Sequence, residues 1–316
     1  MMQPHSNWPL TIVMYHYVRD LERSRFPAIK GLTLERFRRQ LDYIGSHYTP
    51  VTVEAVLASM ATAERLPDNA VLLTFDDGYS DHFTNVFPLL DARRIQGCFF
   101  PPAQAVLEHR VLDVNKIQFV LASVPDAHAL LDQVLAALPE FSPDHSLKTR
   151  EAYLASITEQ HRYDAHEVTV LKRLLQRELP EPVRAEIVRR LFAEHVTADE
   201  AAFADELYMS VEQIACLRRH GMHIGSHGYT HVWLNSISSE AQAEELARSL
   251  AFLGRFDVPR DNWTICYPYG GFNEALLEQL RPLHCRLGFT VEARVAQIGV
   301  DDPLALPRLD TNDLPS

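Results

Sequence analysis

The stretch Leu72-Leu73-Thr74-Phe75-Asp76-Asp77-Gly78-Tyr79 places two adjacent carboxylates where an apolar run gives way to a glycine turn. The apolar run reads as the end of a buried strand. Two neighbouring acids at such a position repel each other and lose hydration, unless a cation or a proton stabilises one of them. Taken alone, Asp-Asp-Gly is also an ordinary turn sequence, so a functional interpretation requires further residues that converge on the same place.

Short apolar segments alternate with segments of helical period along most of the chain. The apolar segments end at small or polar residues, as buried parallel strands do, and lie at 10–15, 71–75, 97–100, 223–226, 264–267 and 287–291. The helical segments lie at 34–44, 81–93, 211–220, 239–252 and 273–280. Strands that alternate with helices predict an α/β fold with a parallel sheet. A chain of 316 residues has room for one α/β barrel and an insertion.

The alternation stops between residues 104 and 207, where helical segments follow one another. Apolar positions in 117–138 and 170–179 recur at helical spacing, and Pro180 and Pro182 interrupt the helices. We therefore expect a barrel formed by residues 1–103 and 208–316, with a helical insertion at 104–207. The insertion can be a cap that extends the core, a substrate lid or an oligomer surface.

The stretch Ile224-Gly225-Ser226-His227-Gly228-Tyr229-Thr230-His231 also follows a short apolar strand. Two histidines four residues apart lie on one face of a helical turn and can bind one metal ion through their imidazole nitrogens. In a chain with 15 histidines, such a pair also arises by chance. Because this pair and the two acids each follow a strand, we expect them to meet at the mouth of one barrel.

A third stretch, Tyr267-Pro268-Tyr269-Gly270, again follows a predicted strand. Together, TFDDG, SHGYTH and YPYG in this order resemble the polysaccharide deacetylase (NodB-homology) family, over residues 10–103 and 208–315. The resemblance implies an irregular TIM-like (β/α) barrel of about seven strands. It also implies a hydrolase that removes an N-acetyl group from an amino sugar. The helical insertion has no counterpart in this resemblance.

The resemblance assigns roles to the motif residues. Asp77, His227 and His231 would be metal ligands, and Asp76 would be the catalytic base. Two imidazoles and one carboxylate leave coordination positions open, as in catalytic sites; zinc is the first choice, and other divalent first-row metals remain open. The metal would lower the pKa of its water to about 7, and Asp76 would accept the proton. The backbone N–H of Tyr269 would stabilise the oxyanion.

The general acid is not where most of the family carries it, because no histidine follows His284. A subset of the family carries this histidine in an N-terminal strand, and Ile12-Val13-Met14-Tyr15-His16 has that form. We therefore expect His16 to protonate the leaving amine. Cys266 stands where many members have an arginine that orients the base. Arg308, after the last predicted strand, is the candidate substitute.

Composition limits the partners and the compartment. A net charge of -12 argues against a broad nucleic-acid surface and against a polybasic membrane anchor. The four cysteines show no CxxC spacing, so reduced thiols are expected. No membrane span or secretory leader is recognisable, so we expect a cytoplasmic protein. Its substrate would then be an N-acetylated sugar, an oligosaccharide or a lipid- or nucleotide-linked glycan precursor, rather than finished wall polymer.

Two other functions remain open at this point. The same site can serve a deformylase or another amidase, for example one that acts on an N-formyl sugar or a small cyclic amide. Alternatively, the chain can be a saccharide-binding homologue without activity. The absence of the motif arginine and of the C-terminal histidine favours that alternative, whereas the complete set of metal ligands opposes it.

Overall fold

The computed structural model describes residues 8–62, 64–157 and 164–315, which form two compact units. The first unit contains the described residues up to Asp20, Gly31–Arg110 and those from Ala204 onward. The second contains Leu21–Lys30 and Val111–Phe203. Residues 21–30, expected in the barrel, belong to the second unit, where Phe26 packs edge-on against Phe119 and Phe203. Residues 104–110 and 204–207, expected in the insertion, belong to the first unit.

All strands of the described residues lie in the first unit. They are β1 (Trp8–Tyr15), β2 (Val18–Arg19), β3 (Leu32–Thr33), β4 (Thr49–Pro50), β5 (Ala70–Asp76), β6 (Gly97–Phe100), β7 (His223–Ile224), β8 (Trp263–Cys266), β9 (Cys285–Phe289), β10 (Ala296–Ile298) and β11 (Leu309–Asp310). The helices are α1 (Leu34–His47), α2 (Val53–Thr62), α3 (Phe87–Arg93), α4 (Ala103–Leu107), α5 (Asp113–Ser123), α6 (Ala127–Ala137), α7 (Arg150–Ser156), α8 (His166–Arg173), α9 (Glu181–His195), α10 (Glu200–Leu207), α11 (Val211–Arg219), α12 (Ser239–Leu253) and α13 (Glu274–Leu280).

Short helical turns supplement these elements. π-helical turns lie at His82–Val86 and Leu174–Glu178, and 3₁₀ turns lie at Leu138–Phe141, Leu234–Ser236, Gly254–Phe256, Pro268–Gly270, Pro303–Ala305 and Thr311–Asp313. Helices α5 to α9 belong to the second unit. None of the helices in the described residues has the length and apolar character needed to cross a membrane.

Among the described residues, seven parallel strands form a ring. β1 pairs with β5, β5 with β6, and β6 with β7. A bridge between Ser226 and Ile265 leads to β8, which pairs with β9. A second bridge, between Phe289 and Leu306, leads to β11, which returns to β1. Because every pairing in the ring is parallel, the carboxyl ends of its strands meet at one mouth. The two single bridges make the barrel irregular.

Strand alternation decides which side chains face the inside of this ring. In β5, Leu72 packs in one cluster with Ile12 of β1 and Phe100 of β6. Phe75 packs in a separate cluster that includes residues of the surrounding helices. Because side chains on one face of a strand recur every two residues, Asp76 shares the inward phase of Leu72. The strand therefore directs the Asp76 carboxylate into the barrel.

Gly225 marks a point where the ring is tightly packed. A Cβ at this residue would lie 2.3 Å from the ring of Phe100 and 2.5 Å from Oγ1 of Thr264. We expect Gly225→Ala to lower the free energy of unfolding by about 1–3 kcal/mol, because the neighbours must move to admit the methyl group. Urea-induced unfolding measures this change.

Gly45 in α1 is the matched control. Nothing lies within 4 Å of a Cβ built at Gly45. Gly45→Ala should therefore raise the free energy of unfolding by about 0.5–1 kcal/mol, because alanine reduces the freedom of the unfolded chain. Equal effects of the two substitutions would contradict the close packing around Gly225.

Candidate active site

Asp76, the last residue of β5, forms a bidentate ion pair with Arg308. Nη1 of Arg308 donates to Oδ1 at 3.0 Å, and Nη2 donates to Oδ2 at 2.8 Å. The same guanidinium donates to Oγ1 of Thr74 at 3.0 Å and to the carbonyl of Thr290 at 2.8 Å. The two charged side chains are only 2% and 1% exposed. The structure thus brings Arg308 to the carboxylate that it was expected to orient.

The pKa of Asp76 results from opposing influences. Burial raises it, but the charge of Arg308, followed by that of His227, lowers it, and the pKa falls to about 2. The thiol of Cys266 also contacts Oδ2, at 3.3 Å. Asp76 is therefore ionised at neutral pH.

Asp77 follows the strand and faces two imidazoles. Its backbone is left-handed, with φ of 69°. Its Oδ1 lies 3.3 Å from Nε2 of His227 and 3.2 Å from Nε2 of His231. The hydroxyl of Tyr79 donates to the other oxygen, Oδ2, at 2.5 Å. All three potential ligands are buried, and Tyr79 holds the carboxylate so that Oδ1 is directed at the imidazoles.

The tautomer of His227 can be assigned from its second nitrogen. Nδ1 lies 2.8 Å from the carbonyl of Cys266. A carbonyl only accepts, so Nδ1 carries the proton and, in the neutral ring, Nε2 directs a lone pair at Asp77. With neutral imidazoles, no group within the described part of the chain donates a hydrogen bond to Oδ1 of Asp77. Two buried acceptors that face each other are unfavourable unless a cation lies between them.

The distances fit a metal site. Ligand atoms that lie about 2.0–2.1 Å from a tetrahedral ion are about 3.3–3.4 Å apart. The separations of 3.3 and 3.2 Å between Oδ1 and the two Nε2 atoms are close to this value. Asp77, His227 and His231 therefore have the donor types, burial and spacing that a divalent cation requires.

The pKa shifts of Asp77 and His227 indicate a place that favours positive charge. Burial raises the pKa of Asp77, but the two imidazoles lower it well below its usual range. Burial lowers the pKa of His227, but contacts with Cys266 and Asp77 raise it overall. Burial keeps the pKa of His231 below its usual value. A divalent cation held by these three side chains would supply this positive charge in place of a proton on an imidazole.

The segment that carries the two histidines is a loop, so the predicted helical turn is wrong. Gly228 and His231 have φ of 73° and 60°, which turns the chain without helical hydrogen bonds. Glu245 of α12 holds this loop, because it accepts the N–H of Tyr229 at 2.8 Å, and both the N–H and the hydroxyl of Thr230 at 3.1 and 2.6 Å. The centroids of the two imidazole rings are 4.7 Å apart.

Glu245 was not recognised from the sequence. An acid within a polar helix usually lies on a solvated face. The only signal for burial was its place beside apolar Leu246, and α12 buries both residues. Its function here is to fix the loop between the two imidazoles.

His16 lies at the same mouth, directly after β1. Its Nε2 is 4.0 Å from Oδ2 of Asp76, and its side chain is 42% exposed, compared with 2% for Asp76. The structure therefore brings the candidate acid close to the candidate base, while leaving the imidazole accessible to a molecule that enters the mouth.

Tyr269 completes the group of predicted residues. Its ring contacts the ring of His231 at a centroid distance of 4.8 Å and stacks on Trp233 at 4.6 Å. Its backbone is left-handed, with φ of 57°. Asp77 and His231 share this backbone region, which costs about 1–3 kcal/mol per residue and is concentrated at functional sites. The assignment of the Tyr269 N–H as oxyanion donor stays a prediction.

This chain resembles known proteins in sequence and in structure. A family model described as "Polysaccharide deacetylase" matches residues 63–137 and 181–288, which make up more than half of the chain. The chain belongs to this family. Polysaccharide deacetylases are hydrolases of amide bonds, so the family and the enzyme class predicted from the three motifs are confirmed.

Among curated proteins, the poly-beta-1,6-N-acetyl-D-glucosamine N-deacetylase of Escherichia coli strain K12 is 33% identical over 91 residues. The match covers 28% of this polysaccharide deacetylase chain and only 13% of the relative. Among solved structures, the deacetylase PplD of Streptococcus pyogenes aligns with a TM-score of 0.59 and 15% identity, over 98% of this chain and 94% of that one. IcaB of Ammonifex degensii aligns with a TM-score of 0.55 and 20% identity, over 96% and 91%. These likenesses confirm the predicted α/β fold.

The buried pair of Asp76 and Arg308 gives a stability prediction. Arg308→Met leaves a buried carboxylate without its partner, so the free energy of unfolding should fall by about 3–5 kcal/mol. The double variant Asp76→Asn, Arg308→Met removes both charges and should recover most of that loss. Urea-induced unfolding of the three proteins measures this; a double variant as unstable as the single one would contradict the pairing.

The same pair gives a dependence on pH. The pKa of Asp76 is about 2 in the folded state, below the value of about 3.9 for a free aspartate. The pair therefore stabilises the fold fully above about pH 4, and this contribution is lost as the pH falls toward 2. Arg308→Met should weaken this part of the pH dependence.

Proposed function

We propose that this chain hydrolyses the N-acetyl amide of an amino sugar in a saccharide, using a divalent cation held by Asp77, His227 and His231. The observation that carries the proposal is the convergence of one carboxylate oxygen and two imidazole nitrogens beside a second carboxylate. In this arrangement, Asp76 is the base and His16 is the acid.

Zinc suits the three ligands best, because zinc sites in hydrolases commonly combine imidazoles with one carboxylate. A cation held by Asp77, His227 and His231 would polarise the amide carbonyl and make water more acidic. Tyr79 and the carbonyl of Cys266 orient two of the ligands from outside. Such outer partners fix the direction and tautomer of metal ligands.

Asp76 accepts the proton of the attacking water. Arg308 holds both of its oxygens and keeps the carboxylate ionised. A carboxylate with a lowered pKa is a weak base, so an acidified water is a better matched proton donor for it than ordinary water. The ion pair with Arg308 therefore fits a metal-dependent reaction.

His16 protonates the amine as the C–N bond breaks. Its exposed imidazole can meet a leaving group, whereas the buried Asp76 carboxylate stays inside the barrel. We further propose that the N–H of Tyr269 stabilises the oxyanion, because its turn lies beside His231.

The family and the Escherichia coli relative support an N-acetylated saccharide as the substrate. The relative's name specifies poly-β-1,6-N-acetyl-D-glucosamine. Oligosaccharides of N-acetylglucosamine are therefore the first substrates to assay, followed by lipid- and nucleotide-linked sugars. Release of formate from N-formyl sugars in place of acetate would indicate a deformylase.

The two adjacent aspartates should respond differently to substitution. We expect the purified protein to bind about one divalent ion per chain. Asp76→Asn should slow acetate release by about 10²–10⁴-fold while the metal stays bound. Asp77→Asn should lose the metal. Elemental analysis and an acetate-release assay measure both effects.

Asp68→Asn is the matched control, because its carboxylate is 79% exposed and should affect neither quantity. Loss of metal from Asp76→Asn but not from Asp77→Asn would reverse the two roles. Metal binding without release of any acyl group from the saccharides tested would favour a binding protein over an enzyme.

His16 can be tested through the leaving group. His16→Ala should slow amide hydrolysis by about 10²–10³-fold, because the amine must be protonated to leave. Hydrolysis of 4-nitrophenyl acetate should change little, because nitrophenolate leaves without a proton. His47→Ala, at the exposed end of α1, is the histidine control. An equal fall in both reactions would exclude His16 as the acid.

A further inference from the structure

The segment after the Asp-Asp-Gly turn contacts the segment that carries His16. Arg19 Nε donates to Oδ2 of Asp81 at 2.6 Å, and Nδ2 of Asn85 donates to the carbonyl of Val18 at 2.9 Å. Between these contacts, Nε2 of His82 lies 2.9 Å from the carbonyl of His16. His82 and Asn85 thus hold the backbone that follows β1, and Asp81 holds the side chain of Arg19.

His82 is unusual among these three side chains because it is fully buried. Its exposed fraction is 0%, and its ring lies between the rings of Phe75, Tyr79 and Phe99, with centroids 5.6, 5.5 and 5.8 Å away. Burial lowers its pKa to about 4, so the ring is neutral at neutral pH. In an aromatic environment of this kind, a phenylalanine or leucine would pack without any polar atom to satisfy.

The hydrogen bond to His16 accounts for a polar residue at this position. The carbonyl of His16 only accepts, so Nε2 of His82 carries the proton. Nδ1 is then a bare acceptor, and among the described residues it has no partner. A buried polar atom left unpaired costs about 1–3 kcal/mol. The advantage of histidine over an apolar residue therefore lies in the hydrogen bond from its Nε2 to the carbonyl of His16.

The local backbone places His82 for this contact. His82–Val86 forms a π-helical turn, in which the N–H of Phe87 bonds the carbonyl of His82. Such a turn contains one residue more than an α-helical turn and is frequent at functional sites. It immediately precedes α3.

His16 needs this support because the barrel does not supply it. The ladder between β1 and β5 ends at Tyr15 and Phe75, one residue before His16. The His16 side chain is 42% exposed, so packing fixes it only in part. The position of its imidazole depends on where its backbone is held. A displacement of about 1 Å in a catalytic group can cost about 10²-fold in rate.

We propose that His82 is a positioning residue for His16: its Nε2–H holds the His16 carbonyl and so fixes the imidazole at the mouth of the barrel. This inference rests on the acid role proposed above for His16. His82 touches neither substrate nor metal and acts through the backbone of His16.

Two isosteric substitutions test the inference. The amide nitrogen of glutamine can occupy the place of Nε2, whereas that of asparagine reaches only the place of Nδ1. We expect His82→Gln to keep amide hydrolysis within about threefold of the native rate, and His82→Asn to lower it by about tenfold or more. Hydrolysis of 4-nitrophenyl acetate and the bound metal should stay nearly unchanged in both.

A merely structural role predicts other results. If His82→Asn slows ester and amide hydrolysis equally, or if both variants match the native protein, the inference is overturned. A fall in amide hydrolysis alone, restored by glutamine, supports it. If His16→Ala leaves amide hydrolysis unchanged, the acid role fails first, and the positioning role for it fails as well.

A second measurement does not depend on activity. The imidazole resonances of His16, assigned by comparison with His16→Ala in isotope-labelled zinc protein, report the environment of the ring. They should shift or broaden in His82→Asn and return in His82→Gln. Unchanged His16 resonances in His82→Asn would overturn the inference, even if no substrate had been found for the enzyme.

Discussion

The arrangement of the site depends on the buried ion pair of Asp76 and Arg308. Asp76 is the last residue of β5, and its carboxylate points into the barrel. A buried carboxylate is unfavourable there without a charged partner. That partner comes from 232 positions further along the chain, just before β11. In the folded chain, the pairing of β11 with β1 places the guanidinium of Arg308 beside Asp76. The strand pair that completes the ring therefore also brings the partner of Asp76 into the site.

The end of β5 separates two chemically identical residues into different environments. Asp76 still belongs to the strand and points inward to Arg308. Asp77 has a left-handed backbone, and its carboxylate turns to Tyr79 and the two imidazoles. One carboxylate is thereby paired with a permanent cation, and the other faces two imidazoles at the spacing that suits a metal ion. The difference arises from backbone conformation, because the side chains are the same.

Much of the fold could be predicted from the sequence, because buried parallel strands and amphipathic helices have distinct periods. The ends of β5, β7 and β8 carry the three motifs, and the parallel ring brings them together. Arg308 was identified as a substitute for a missing arginine because it follows the last strand. Helix spacing failed for His227 and His231, since two left-handed residues replace the helical turn.

Other features depend on contacts that leave no local pattern. Glu245 has the sequence context of a solvated helix residue, yet it accepts three hydrogen bonds from the histidine loop. Residues 21–30 join the second unit through the packing of Phe26, which a pass along the chain cannot detect. Such contacts link residues that are distant in sequence, and only the folded chain reveals them.

The hydrogen bond from His227 to the carbonyl of Cys266 has a consequence for substitutions at position 266. Every amino acid carries that carbonyl, so no exchange at position 266 removes the acceptor that fixes the imidazole tautomer. The side chain of Cys266 is itself buried against Asp76, so a substitution there changes the packing but leaves this acceptor in place. The main chain therefore fixes the proton on Nδ1 of His227, and this does not depend on which side chain stands at position 266.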